Sequence, residues 1–473
     1  MGAVPRGIDT ARGPPMTVPL RHFLVGIGLL CGALLVGIGL VVDAVPGLGG
    51  LVHVHLFLVG WVCVTIMGAM TQFVPVWSGT TLRSRRLASA QLALVGGGLL
   101  GFATALALGR LGWLAGFGAV MLLGFWAFVY NLGRTLATVA EFDATERHFV
   151  VALACFAVLT GLGVLLAADL GSGLLADLGV SHAGVRGAHV TLGVFGAVLT
   201  TIYGALYQLG TMFTQTELRG IDHRLRAVEE VGHPVGVVAL AGGRLVGATA
   251  LARVGAALVL LAALGFAVVL ARRLVEMRVE RTPMHTRYAV VALALGAWVA
   301  TAAPAWLRAP LAPEHVLGGP GGAPLLLLGV VGFVIFGTLY HIVPFVVWVE
   351  RYSDRLGFEA VPMVDDLYAD RLAAADGTLL FAGTALLVAA DVAADAAGTA
   401  LAVGLPGVAL VGLTLVTLGV AVFAANALLV IRRHSPGTLA RVAFGRPGAR
   451  RAVGGGVIDG AEKGESVDAA DGE

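Results

Sequence analysis

Long apolar runs separated by short polar segments fill most of this chain. A membrane-spanning helix needs about 20 mostly apolar residues, because a hydrocarbon core of roughly 30 Å is crossed at 1.5 Å per residue. Eleven stretches satisfy that length clearly: 20–43, 51–76, 86–109, 112–134, 147–169, 188–213, 249–271, 284–307, 321–348, 377–397 and 407–431. A twelfth, at about 229–246, is weaker, because Glu229, Glu230, His233 and Pro234 open it. The first run is too long for a signal-peptide core and carries no A-x-A cleavage pattern, so it reads as a helix. Residues 1–18 read as a disordered tail, 19–433 as a single transmembrane domain and 434–473 as a cytoplasmic tail. The 350–375 segment is the longest inner connection and is expected to hold a short interfacial helix.

Loop charges decide whether the weak twelfth run crosses. With twelve crossings and both termini inside, 26 of the 31 basic residues fall on the inner side. The outer side keeps only Arg110, Arg186, Arg244, Arg253 and Arg308. That asymmetry is what the positive-inside rule demands. With eleven crossings the sides swap after residue 229, and the basic 272–287 loop faces outward. The charges therefore favour twelve helices.

Composition agrees and narrows the class. The chain is 58% hydrophobic and 13% charged, with a mean hydropathy of +0.90, against about 25% charged in ordinary soluble domains. That balance argues against a water-soluble enzyme, a disordered protein, a nucleic-acid-binding module and a disulfide scaffold. Glycine reaches 68 of 473 residues, which suits close approach between membrane helices. Cys31, Cys63 and Cys155 lie in apolar stretches with no C-x-x-C spacing, so neither a structural zinc site nor a disulfide framework is indicated.

An internal repeat follows from alignment of the chain with itself. HVHLFLVGWVCVTIMGAMTQFVPVW (53–77) aligns with 189–213 at an offset of 136, and with 322–346 at an offset of 269. Gly60, Gly196 and Gly329 then coincide, as do Ile66, Ile202 and Ile335, and Gly68, Gly204 and Gly337. His53 matches His189, Gln72 matches Gln208, and Pro75 matches Pro344. Three units of four helices, at about 19–134, 147–272 and 284–431, account for twelve. The second, sixth and tenth helices are the equivalent members, and all run from outside to inside.

An ionisable residue at membrane depth is costly and marks a candidate site. His53 and His55 open the second helix, and His189 opens the sixth. Residues i and i+2 on an α-helix lie roughly 200° apart. The pair therefore cannot grip one metal from one face, but it suits two planar cofactors, one on each side. Imidazole is a common axial ligand of haem iron. The competing reading is three interfacial histidines bonded to headgroups or carbonyls. His341 lies nineteen residues beyond the His53 level, roughly 28 Å along the axis, and reads as structural or as part of a polar entry. Asp391, in the outer half of the eleventh helix, is a candidate for a proton path or a simple pairing. The five outer arginines are candidate partners for haem propionates.

The 53–77 segment resembles the haem-ligating helix of subunit I of the haem-copper oxidases, the cbb3-type branch in particular. There a His-x-His is followed by Gly-Trp and a Gly…Pro close. GTLYHIVPFVVW (337–348) resembles the end of the same helix. NO-response membrane haem proteins related to that superfamily share a similar pattern. The resemblance covers the hydrophobic architecture, and its specific residues are confined to the three motif helices. It implies an all-α polytopic protein of a prokaryotic plasma membrane, binding b-type haem in respiratory electron transfer or O2/NO chemistry. An electron-donor protein or companion subunits are the implied partners, beside the lipid bilayer. It further implies that His53 faces a high-spin haem and His55 a low-spin haem. His189 is then the opposing ligand of a bis-His haem, or the counterpart of a copper-site histidine.

Two departures stand out. The oxidases carry the His-x-His on the tenth helix, where this chain has Gly322 and Pro324. They also hold copper with a His-His pair, and no such dipeptide occurs here. The expectation is thus a haem protein with an incomplete copper site, and a haem-dependent oxidoreductase if it is an enzyme. The alternative is a membrane sensor, assembly factor or transporter that keeps the architecture without metals.

Overall fold

The computed structural model describes residues 15–397, 405–435 and 442. The proposed tails, except residues 15–18, 434, 435 and 442, lie outside that set. Twelve long helices run through the described residues. They are α1 (Thr17–Val41), α2 (Gly49–Trp77), α3 (Arg85–Ala107), α4 (Leu114–Leu136), α5 (Ala144–Ser172) and α6 (His182–Thr214). They continue as α7 (Ile221–Val246), α8 (Thr249–Val275), α9 (Pro283–Arg308), α10 (Gly322–Arg355), α11 (Asp370–Ala397) and α12 (Leu405–His434). Eleven are long and apolar enough to cross a membrane, and α7 is the exception. The chain is a polytopic α-helical membrane protein.

α7 is longer than its apolar run suggests, and begins at Ile221 rather than near 229. Four of its polar residues face inward: Asp222, Glu229, His233 and Arg244 are buried. Val228, Val231, Val235 and Val238 are each more than half exposed. Buried polar groups lower the mean hydropathy of such a helix although it keeps an apolar outward face. The 350–375 segment corrects another expectation. It holds two 3₁₀ turns, Ser353–Arg355 and Val364–Leu367, in place of an interfacial helix.

α2, α6 and α10 carry most of the interior. Each contains an eight-residue π-helical segment: Leu56–Cys63, Leu192–Leu199 and Leu325–Gly332. Their starts differ by 136 and 269, the offsets of the sequence alignment. π segments of this length are rare and tend to mark functional regions. Glycines at equivalent positions let neighbouring helices close on them. A Cβ on Gly60 would meet Leu29 Cβ of α1 at 2.9 Å, on Gly196 Cys155 Sγ of α5 at 2.7 Å, and on Gly329 Ala294 Cβ of α9 at 2.9 Å. Two turns further inward, Gly68, Gly204 and Gly337 face His22, His148 and Arg287 of the same three helices.

The remaining helices pair as hairpins, α3 with α4, α7 with α8 and α11 with α12. A glycine sits at each crossing. A Cβ on Gly98, Gly236 or Gly383 would lie 2.8, 2.9 or 2.8 Å from the backbone nitrogen of Met121, Val259 or Val416. Small residues replace hydrophobic drive here, since lipid is as apolar as any leucine.

Candidate functional site

His53 and His55 leave α2 on different sides. The His53 ring turns to α1, with Nδ1 2.8 Å from Ala33 O. It occupies the space that Gly37 leaves open, where a Cβ would lie 2.9 Å from His53 Cε1. His55 turns toward α3, with its ring 5.1 Å from Phe102, and its Nδ1 lies 2.8 Å from Leu51 O of its own helix. His189 repeats the His53 arrangement one unit on. Its Nδ1 is 2.9 Å from Leu159 O of α5, and Gly163 makes the room, a Cβ there falling 3.0 Å from His189 Cε1.

A carbonyl oxygen only accepts, so in all three rings Nδ1 carries the proton and donates it. Nε2 is then an unprotonated lone pair, and none of the three Nε2 atoms has a hydrogen bond among the described residues. That is the tautomer and second-shell bond expected of a metal-ligating imidazole. It fits axial ligation of a haem, and equally leaves a histidine that accepts one hydrogen bond from water.

The two sides of α2 differ in what they meet. On one side His55 meets Phe102 of α3. His53 instead lines a cavity of about 650 Å³ between α1, α2 and helices α10–α12, with Phe57, Pro324, Leu327 and Leu387 among its walls. That volume is within the usual range for cofactor and ligand sites, about 300–1,000 Å³. Asp391 stands at the same cavity. Its Oδ2 accepts from the Gly321 N–H at 2.8 Å, which anchors the start of α10.

The equivalent place in the third unit is closed. Gly322 stands where the other units have His53 and His189. Trp298 of α9 fills the level, its Nε1 donating to Leu317 O at 2.8 Å. Trp298, Trp306 and Phe195 pack with ring centroids 5.1–5.6 Å apart. Arg244 closes the top. It donates to Thr191 Oγ1 at 2.8 Å and to the carbonyls of Pro310 and Val316 at 3.1 and 3.2 Å, with its guanidinium over Trp306.

Arg244 is thus spent on protein partners, and Arg253 donates to Arg308 O at 3.1 Å. Arg110 and Arg186 remain exposed, and Arg186 lines a mouth between the outer loops. His341 packs between Phe213 at 4.3 Å and Phe345 at 5.8 Å, with no bond to Gln72 or Gln208. Among the described residues, no three of His, Cys, Asp and Glu converge on one point.

One polar group escaped the sequence reading. His148, at a helix end in the sequence, is buried with its Nε2 3.1 Å from both carboxylate oxygens of Glu229. Glu229 counted against α7 as a crossing helix, yet it is the inward partner of a residue in α5. No sequence signal marked it, because residues 148 and 229 become neighbours only through the packing of α5 against α7.

No family model matches this chain, and no curated protein matches it at a significant level.

Proposed function

We propose that this chain crosses the membrane twelve times in three four-helix units, and binds haem between them at His53, His55 and His189. The recurrence of π segments, glycine contacts and hairpin crossings at common offsets supports three units. The apolar outward face of α7 supports the twelfth crossing. One observation carries the haem assignment. Three imidazoles near the starts of α2 and α6 each donate Nδ1–H to a carbonyl, and among the described residues none has a partner at Nε2.

In this reading His55 and His189 would hold one b-type haem. His53 would hold a second, beside the cavity of about 650 Å³. Haem supplies one-electron redox chemistry and, where one imidazole binds it, an open coordination position for a diatomic gas. The residues of this chain fix ring orientation through Ala33, Leu51 and Leu159, exclude water with Phe57, Phe102 and Leu387, and make ring space at Gly37 and Gly163. The reading includes no copper, since among the described residues no group of three His, Cys, Asp or Glu converges. The protein is then an electron-transfer or O2/NO-handling component of a prokaryotic plasma membrane.

The absorption spectrum of protein made with ample haem tests this. Reduced b-type bands are expected, with the low-spin component lost in His55→Ala and in His189→Ala. Carbon monoxide binding is expected to depend on His53. A colourless, iron-free protein overturns the proposal and leaves a sensor, assembly factor or transporter.

A further inference from the structure

The inner ends of the three units each bury a polar pair at the same level, and the pairs differ in chemistry. In the first, His22 Nε2 lies 3.5 Å from the Gln91 amide nitrogen, and Gln91 reaches Thr71. In the third, Arg287 pairs with Asp376, which also accepts from Tyr340. In the second, His148 of α5 meets Glu229 of α7, both almost wholly buried. An amide does not titrate, and a guanidinium does not give up its proton. Only in the second pair are both partners groups that exchange a proton, since His22 faces an amide and Asp376 a guanidinium.

Proton counting sharpens the point. His148 Nδ1 lies 2.5 Å from Ala144 O and therefore carries hydrogen. Its Nε2 faces two carboxylate oxygens at 3.1 Å. Two acceptors cannot bond each other, so one more proton lies between the groups. It sits on Nε2 as imidazolium with carboxylate, or on Glu229 as acid with neutral imidazole. The pair is neutral when loaded and carries one negative charge when emptied.

The surroundings have bonding capacity left over. Among the described residues the Tyr203 hydroxyl and His233 Nδ1 are buried without hydrogen-bond partners, and the Tyr207 hydroxyl lies beside the Glu229 carboxylate. Buried polar groups are nearly always paired, by protein or by ordered water. Tyr207 packs 5.7 Å from the His148 ring, and Tyr203 packs 5.0 Å from His233. His233 is one turn above Glu229 and donates Nε2–H to Phe195 O in the π segment of α6, 3.0 Å away. The charged and titratable groups around Glu229 are His148 and Arg147 on α5, Tyr203 and Tyr207 on α6, and Arg226, Glu230 and His233 on α7. From α8 the neighbour is Phe266, which packs on both tyrosines. Next to the buried pair in sequence, Arg147 and Glu230 form a more exposed ion pair.

We propose that His148 and Glu229 form a proton-binding site that exchanges one proton with the inner aqueous phase through the Arg147–Glu230 mouth, with Tyr203, Tyr207 and His233 as its continuation toward the His55–His189 level. On release, the bond between the shared proton and Nε2 or the carboxylate breaks and the proton passes to water, leaving neutral His148 and anionic Glu229. The site does not depend on bound haem.

Infrared difference spectra of the full-length protein in detergent, recorded from acid to alkaline pH, test it. The expected result is a one-proton transition in a carboxyl or imidazolium band. It shifts on isotope labelling of histidine, is lost in Glu229→Gln and persists in Asp376→Asn. His148→Gln, which keeps a hydrogen-bond donor, is expected to abolish it as well. A wild-type spectrum with no such transition identifies a static ion pair and overturns the proposal. So does a transition that survives Glu229→Gln. Because haem-free protein serves for the measurement, this outcome is separate from that of the absorption spectrum.

Discussion

The starts of α2 and α10 share one backbone design and use it in opposite ways. In both, a long helix carries a π segment beginning three residues past the level in question, and a neighbouring helix packs against a glycine of that segment. In the first unit the ring at that level belongs to the central helix, is His53, and rests against Gly37 of α1. In the third the ring belongs to the peripheral helix, is Trp298, and rests near Gly322 of α10. The bulky and small partners have changed places. An imidazole projecting from the centre leaves a lone pair beside a cavity. An indole projecting inward fills the level and spends its only polar atom on a carbonyl, since indole N–H donates and cannot accept. One scaffold thus yields a candidate ligand site or a sealed wall, according to which helix supplies the ring.

The largest expected effect that would break this contrast concerns the ligand side. His55→Ala or His189→Ala should remove essentially all low-spin haem absorbance, and unchanged spectra in both variants would erase the difference between the units. On the sealed side, Trp298→Ala should lower stability by about 3–5 kcal/mol, as for other buried large-to-small changes. Thermal unfolding checks this, and haem content per folded protein is expected to stay the same. Gly163→Ala sharpens the comparison further. The new methyl presses on the His189 ring, so the reduced band should shift or weaken while the protein still folds, and Gly161→Ala, with open space at its Cβ, should leave the band alone. The smallest effect belongs to Asp391→Asn. It should cost about 1 kcal/mol through its weakened bond to the Gly321 N–H, with little change in carbon monoxide binding. A complete loss of that binding would instead place Asp391 in the chemistry.

Much of the architecture was legible because lipid imposes it. Length and hydropathy exposed eleven helices, and the glycine register exposed offsets that the π segments share. The i, i+2 spacing of His53 and His55 required rings on different sides of α2, and their contacts with Ala33 and Phe102 agree. α7 was harder to read, because a helix that turns Glu229 and His233 inward and four valines outward has a poor average and a good lipid face. The interfacial helix expected within 350–375 failed because the α-helical part of α10 continues to Tyr352 and closes with the 3₁₀ turn Ser353–Arg355.

The amino-acid sequence alone determined the membrane class and the approximate helix lengths, because each depends on local composition and on a fixed rise per residue. Only the packed structure decided that His55 meets Phe102 while His53 looks to a cavity, that Trp298 fills the space beside Gly322, and that His148 meets Glu229. Those facts depend on which helices become neighbours. Glycine contacts between segments far apart in the chain set that, and periodicity within a single helix does not record them.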